Sequence, residues 1–197
     1  MSYPIYTISI RRTHLSLEHA ILGFLDYRPL SGYDLKAMFE ASVKHFWPAD
    51  QSQIYRTLAR LSDTGLTRIE LVEQTDRPDR KVYHITDAGR EELHRWLTGE
   101  PAPSCERIAS LVQIFFAGGL SDDEVLSMLR RHAERNRSVL ERLRAIPAHD
   151  KPHVIDASAK DKFFWMLTLD YGIKITETAQ DWLEDVIARI ELGEHGR

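Results

Sequence analysis

The sequence predicts a mainly α-helical protein that carries one small β-hairpin. Apolar residues recur at three- and four-residue spacing along most of the chain, which is typical of amphipathic helices. Only two short stretches of the first half alternate like strands, and a polar turn joins them. The segment "TGEPAPS" (98–104) contains two prolines and a glycine without any periodicity, so it predicts a linker between two domains.

The composition is that of a globular protein of 197 residues, with 43% hydrophobic and 28% charged residues. Its net charge of -4 argues mildly against a nucleic-acid partner, but phosphate contacts need only local positive charge. Cys105 is the one cysteine, which excludes an intramolecular disulfide and favours the cytoplasm. No base accompanies it in a nucleophile motif, and no apolar run is long enough to cross a bilayer.

The sequence predicts three helices before the hairpin. After an N-terminal arm (1–14), a helix begins at Leu15 and ends before Pro29. Ser31 caps a second helix, which buries Leu35, Met38 and Phe39 and ends at Trp47-Pro48. Asp50 or Ser52 caps a third helix that runs to about Thr64, where Gly65 takes the position that favours positive φ.

A hairpin and a fourth helix complete this domain, which we place at 15–97. The strands are "LTRIELVEQ" (66–74) and "RKVYHIT" (80–86), joined by the turn residues "TDRPD". Thr86 caps the next helix, whose predicted buried side holds Leu93, Trp96 and Leu97. Beyond the linker, a helical domain (105–197) comprises segments 105–118, 121–146 and 159–192.

The third helix carries the functional pattern. At 100° per residue, Ile54, Leu58 and Leu61 form a buried stripe, and Gln53, Arg56 and Arg60 share the opposite arc. Arginine suits guanine or phosphate because its planar fork donates two parallel hydrogen bonds. Ser52 and Gln53 begin the helix, where N–H groups favour a phosphate. Arg77, Arg80 and Lys81 at the hairpin tip lie within reach of an adjacent DNA backbone.

Helix-turn-helix followed by a hairpin wing is an arrangement that holds one helix in the major groove. The simpler interpretation is that the arginines on the exposed helix face are solvated. In the wing, Asp76 and Asp79 nearly balance the positive charges. The order of elements nevertheless favours a winged helix-turn-helix DNA-binding domain.

Three motifs resemble the PadR family of transcriptional regulators. They are the opening "LSLEHAILGFLDYRPLSGYDLKAMFE", the recognition-helix pattern "SQIYRTLARLSDTGLT" and the strand-and-helix signature "RKVYHITDAGREELHRWL". The later part, closing with Trp182-Leu183 in a long helix, is similar to the virulence-activator type of C-terminal domain found in longer members.

The resemblance implies a homodimeric repressor or activator, of which we expect the repressor, bound to a palindromic DNA site. It implies that Ser52, Tyr55 and Arg56 contact DNA and that Tyr33 and Lys36 lie near the backbone, without a cofactor. It also implies a response to small aromatic compounds. The candidate contacts are Phe115, Phe116, Phe163 and Trp165 in the aromatic-rich helices. The simpler alternative is that these aromatic residues form part of a core.

The last helix has more apolar bulk than its own domain requires, and pairing two winged helices would double the phosphate contacts. We therefore expect dimer contacts there, the simpler alternative being packing on the middle helix of the same chain. The candidates are Trp165, Leu169, Trp182, Leu183, Val186 and Ile190.

Two other classes of function stay open. A winged-helix module that binds another protein and no DNA suits the acidic balance. An enzyme has little support, because no nucleophile elbow, phosphate-binding glycine loop, zinc-protease motif or persuasive carboxylate pair is present. Pro152 lies between His149 and His153, which spoils their helical spacing for a metal.

Overall fold

The protein is described by a computed structural model that covers residues 13–43, 46–73, 79–100, 108–146 and 157–194. These residues fall into two compact units. The expected N-terminal arm up to residue 12, most of the linker, Arg77, Cys105 and the His149/His153 pair lie outside them. No helix in the described ranges is long and apolar enough to cross a membrane.

The first unit contains four helices and a three-stranded antiparallel sheet in the order β1-β3-β2. The helix-turn-helix and the hairpin wing that the sequence predicts are confirmed. The bounds are α1 (Thr13–Tyr27), β1 (Leu30–Ser31), α2 (Gly32–Ala41), α3 (Gln51–Asp63), β2 (Thr67–Val72), β3 (Arg80–Ile85) and α4 (Asp87–Thr98).

Strand β1 has no counterpart among the predicted strands. It is only two residues long, and it exists because Leu30 and Ser31 pair with Tyr83 and Val82 of β3. A segment of two residues carries no periodicity of its own. This pairing anchors the wing to the residues that start α2.

One apolar core holds the unit together, and α3 is central to it. Ile54, Leu58 and Leu61 are fully buried, as the helical wheel predicts. Gly65 ends this helix with φ +73°, and the Leu66 N–H donates to the Leu61 carbonyl at 2.9 Å. The reversal sends the chain directly into β2.

Helix α4 packs on α1 differently from the expectation. Leu93 is buried, but Leu97 is exposed, so its expected burial is wrong. The Trp96 ring stacks on His19 with centroids 4.7 Å apart, and this contact covers the ring only in part. His19 Nε2 also lies 3.1 Å from a Glu92 carboxylate oxygen. The contact of His19 with Trp96 and Glu92 thus takes the place of the expected burial of Leu97.

The second unit consists of α5 (Ala109–Phe115), a 3-10 turn (Ala117–Gly119), α6 (Asp122–Arg144) and α7 (Ala159–Glu191). Helices α6 and α7 pack on each other. Their shared core is centred on Met128, Leu129, Ala133 and Leu183. Within it, the Asn136 side-chain amide donates to the Thr176 carbonyl and to Gln180, which satisfies a buried polar pair.

Candidate nucleic-acid interface

The exposed N-terminal half of α3 lies beside the start of α2. A methyl group added to Gly32 would come within 2.5 Å of the Tyr55 ring, so this glycine lets the ring pack directly on the α2 backbone. Burial raises the pKa of the Tyr83 hydroxyl, and the neighbouring Tyr55 hydroxyl adds to the rise. Tyr55 therefore joins α2, α3 and β3, while 42% of its surface stays exposed.

Side chains from α2 and α3 also share a shallow groove beside this contact. Lys36, Phe39 and Glu40 line it from α2, and Asp50 and Gln53 line it from the start of α3. Lys36 forms an ion pair with Glu40 at 2.7 Å, and Tyr33 is largely exposed. Of the residues expected to contact DNA, Lys36 and Gln53 thus line one groove of the protein, and Tyr33 faces solvent elsewhere on α2.

Asp50 is the residue that caps α3. Its carboxylate accepts hydrogen bonds from the Gln53 N–H at 2.8 Å and the Ser52 hydroxyl at 2.7 Å, which hold the pKa of Asp50 below its ordinary value. The Gln53 side-chain oxygen accepts in turn from the Asp50 N–H. A carboxylate therefore already occupies the helix start at which the sequence predicts a phosphate.

The two arginines of the predicted face behave differently. Arg56 is exposed, and its guanidinium folds back over the helix start, donating to the Ser52 carbonyl at 3.3 Å. Arg60 is part-buried and pairs with Glu18 of α1. Its Nη2 atom is buried without a hydrogen-bond partner. Arg56 can reach DNA by rotating its side chain, whereas Arg60 would first have to leave Glu18.

At the turn end of the wing ladder, where Arg80 lies opposite Val72, Arg80 pairs with Asp34 of α2. Asp34 also accepts hydrogen bonds from the Ser31 N–H at 3.0 Å and the Ser31 hydroxyl at 2.8 Å. Partial burial raises the pKa of Asp34, but these bonds outweigh it and lower the pKa overall. Lys81 is exposed beside Arg80, and DNA contact by each of these residues stays a prediction.

The candidate dimer residues divide into two groups. Leu169 and Leu183 are buried inside their own unit, and Val186 and Ile190 pack against its core. Their burial therefore needs no second copy. Trp165 is half-buried, and Trp182 is 41% exposed, so these two retain surface for a partner.

The candidate effector residues lie at the surface of the second unit. Phe115, Phe116 and Phe163 are all more than half exposed. Phe115 and Phe116 contact each other edge to face, as do Phe163 and Phe164. No group of three His, Cys, Asp or Glu side chains within the described ranges is arranged to hold a metal ion.

Two family models match the chain. Residues 21–95 match the transcriptional regulator PadR-like family, and residues 106–191 match the virulence activator alpha C-terminal family. A probable transcriptional regulator of Mycobacterium tuberculosis is 34% identical over 90% of this chain and 98% of its own. The negative transcriptional regulator PadR of Bacillus subtilis is 29% identical over 89% of this chain and 97% of its own.

Solved structures of the Bacillus subtilis protein share the fold. Its crystal structure in complex with operator DNA superposes with a TM-score of 0.77 at 30% identity, covering 89% of this chain and 99% of that one. Its crystal structure in complex with p-coumaric acid gives 0.73 at 29% identity, covering 89% and 98%. The arrangement of α2, α3 and the wing is thus that of a winged helix-turn-helix regulator.

The unequal surroundings of Arg56 and Arg60 predict unequal effects on stability. Replacing Arg60 with alanine leaves the part-buried Glu18 carboxylate without its cation, and we expect the free energy of unfolding to fall by ~1 kcal/mol. Arg56→Ala removes only solvated contacts and should change it little. Urea unfolding followed by circular dichroism measures both variants, and equal losses would contradict this assignment of roles.

Proposed function

Because the chain belongs to the PadR-like family of transcriptional regulators, we propose that it represses transcription as a homodimer bound to a palindromic operator. Each copy inserts the N-terminal half of α3 into the major groove. The supporting observation is that exposed side chains of this half helix adjoin α2: Gln53 lines one groove with Lys36, and the Tyr55 ring packs on Gly32. Repression is proposed because the Bacillus subtilis relative is named a negative regulator.

In this proposal Arg56 and Gln53 contact base edges or phosphates, and Tyr55 donates a hydroxyl hydrogen bond to the backbone. Ser52 does the same after its hydroxyl turns away from Asp50, to which it donates in the free protein. Gln53 uses its side-chain oxygen in the helix cap, which leaves its NH₂ group free to donate to DNA. The wing residues Arg80 and Lys81 contact the flanking backbone. Residues 15–97 form the DNA-binding domain and residues 105–197 form the dimerisation domain.

Arg60 has a different place in this proposal. Its pair with Glu18 ties α3 to α1, so it holds the recognition helix at its working angle. We propose that Arg60 acts chiefly by positioning α3, while Arg56 makes the direct contact. The two arginines that share one arc of the helical wheel therefore serve different purposes.

The dimer is proposed from the outward face of α7. Phe164, Leu167, Tyr171, Ile175 and Trp182 recur every three, four or seven residues and are between 41% and 64% exposed. They form a stripe about a third of a turn away from the Leu169 and Leu183 side, which is buried in the unit's own core. A helix with two apolar faces needs a second partner, and a second copy supplies one through a two-fold axis.

DNA binding should depend steeply on salt. Arg56, Arg80 and Lys81 from each of two copies would neutralise about six phosphates, so affinity should fall about a thousandfold between 50 and 200 mM salt. The measurement is fluorescence anisotropy with a duplex spanning the region upstream of the gene encoding this chain. Arg56→Ala should weaken binding at least about thirtyfold, because each of the two half-sites loses a bidentate contact worth about 1–3 kcal/mol.

The matched control is Arg95→Ala, an exposed arginine on α4 that pairs with Glu92 outside this surface. It should leave DNA affinity unchanged. A salt-independent interaction, equally weak in all three proteins, would instead favour a winged-helix module that binds protein and no DNA.

Ile175→Glu should separate the two copies, because it places an unpaired carboxylate in the middle of the apolar stripe. Light scattering should give twice the chain mass of 22.8 kDa for the parent protein and the single mass for this variant. Ala188→Glu adds the same charge at an exposed position of α7 outside the stripe and should remain dimeric. A monomeric parent would refute the dimer.

We extend the proposal to an aromatic effector, since a relative was crystallised with p-coumaric acid. Adding this acid to the DNA complex should lower the anisotropy, and Phe163→Ala should weaken the response. Phe46→Ala removes an exposed aromatic ring from the first unit and serves as the control. If the acid releases no DNA up to its solubility limit, the effector part of the proposal fails and DNA binding stands.

A further inference from the structure

The cations that flank the recognition helix are matched with carboxylates of their own unit. Arg80 pairs with Asp34, and Lys36 pairs with Glu40 at 2.7 Å. Both pairs lie on the surface that the proposed function assigns to the DNA backbone. An incoming phosphate must therefore compete with a carboxylate for each cation.

Asp34 is a well-fixed competitor. The Ser31 N–H and hydroxyl hold its carboxylate at 3.0 and 2.8 Å, and the Asp34 N–H donates back to the Ser31 hydroxyl at 3.2 Å. This reciprocal capping box starts α2, so the carboxylate cannot move away without uncapping the helix. Ser31 is itself buried in strand β1, which adds to the rigidity.

Arg80 is the partner that can change. It is the first residue of β3, and its side chain keeps 46% of its surface exposed while it contacts Asp34. A long flexible arginine on a strand end can turn from a neighbouring carboxylate to a phosphate without moving the backbone. The Asp34–Arg80 pair is thus formed in the free protein between one rigid acceptor and one mobile donor.

We propose that Asp34 weakens DNA binding by holding Arg80 in an internal ion pair that must open when Arg80 contacts a phosphate. This inference rests on the proposed function, and it makes Asp34 a residue that sets DNA affinity without touching DNA. The contribution of Arg80 to DNA affinity is then the difference in free energy between its ion pair with a phosphate and its ion pair with Asp34. Glu40 acts on Lys36 in the same way, although more weakly, because this pair joins residues four apart on one helix and no helix cap holds Glu40.

The test is Asp34→Asn in the full chain. Asparagine keeps an oxygen that can accept from the Ser31 N–H, so α2 stays capped, but it no longer neutralises Arg80. Anisotropy is measured with the upstream-region duplex and with a scrambled duplex of equal length and composition. We expect tighter binding to both, by about threefold per subunit and about tenfold for the dimer, as for release of an exposed ion pair.

Two controls separate the pair from the change in net charge. Asp87→Asn removes the same charge from another carboxylate that pairs with an arginine, Arg90, which keeps its pair with Asp26. It lies on the first turn of α4 and should change affinity less than twofold. In an Arg80→Gln background, Asp34→Asn should have at most a twofold effect, because no guanidinium remains to be released.

Thermal unfolding by circular dichroism checks that each variant folds. If Asp34→Asn is unfolded, Glu40→Gln supplies a second test, because it changes no helix cap. It should also tighten DNA binding. Unchanged or weaker DNA binding by the folded variants, with a parent protein that binds, would overturn this inference alone. If no protein binds either duplex, the proposed function fails and this inference fails with it.

Discussion

The burial of Ile54, Leu58 and Leu61 fixes the rotation of α3 about its axis, and the candidate nucleic-acid interface of the first unit depends on that rotation. With these three side chains in the core, Ser52, Gln53 and Arg56 must face solvent. Tyr55 lies at the boundary, and its ring fits because residue 32 lacks a side chain. The hydrophobic effect thus orients the polar face of α3, and the contact of the Tyr55 ring with the Gly32 backbone sets the position of α2 beside α3.

Carboxylates shape the electrostatics of this surface as much as arginines do. Asp50 occupies the start of α3, Asp34 holds Arg80, and Glu18 holds Arg60. An overall charge of -4 is therefore not spread at random, since part of the acidic excess neutralises the cations that a nucleic acid would meet. Such a surface draws DNA less strongly from a distance and leaves more of the binding to close contacts.

The second unit follows a different physical rule. Helix α7 has two apolar sides about a third of a turn apart, one closed by α6 and one open to solvent along Phe164, Tyr171 and Trp182. Exposed apolar surface of this extent is uncommon on an isolated globular domain and marks a contact surface. The part-buried Asn136–Gln180 hydrogen bond links α6 to α7, and sliding one helix along the other would break it. The helix pair can therefore present its outer face in a defined way.

The helices, the wing and the buried stripe of α3 could be predicted from local sequence, because periodicity and capping residues act over a few neighbouring positions. The exposure of Arg56 could be predicted from the same periodicity. Long-range packing was needed to show that Arg60 pairs with Glu18, that Leu169 and Leu183 lie inside their own unit, and that two residues form β1. Each of these depends on a partner far away in the chain, and a helical wheel contains no information about which element packs beside it.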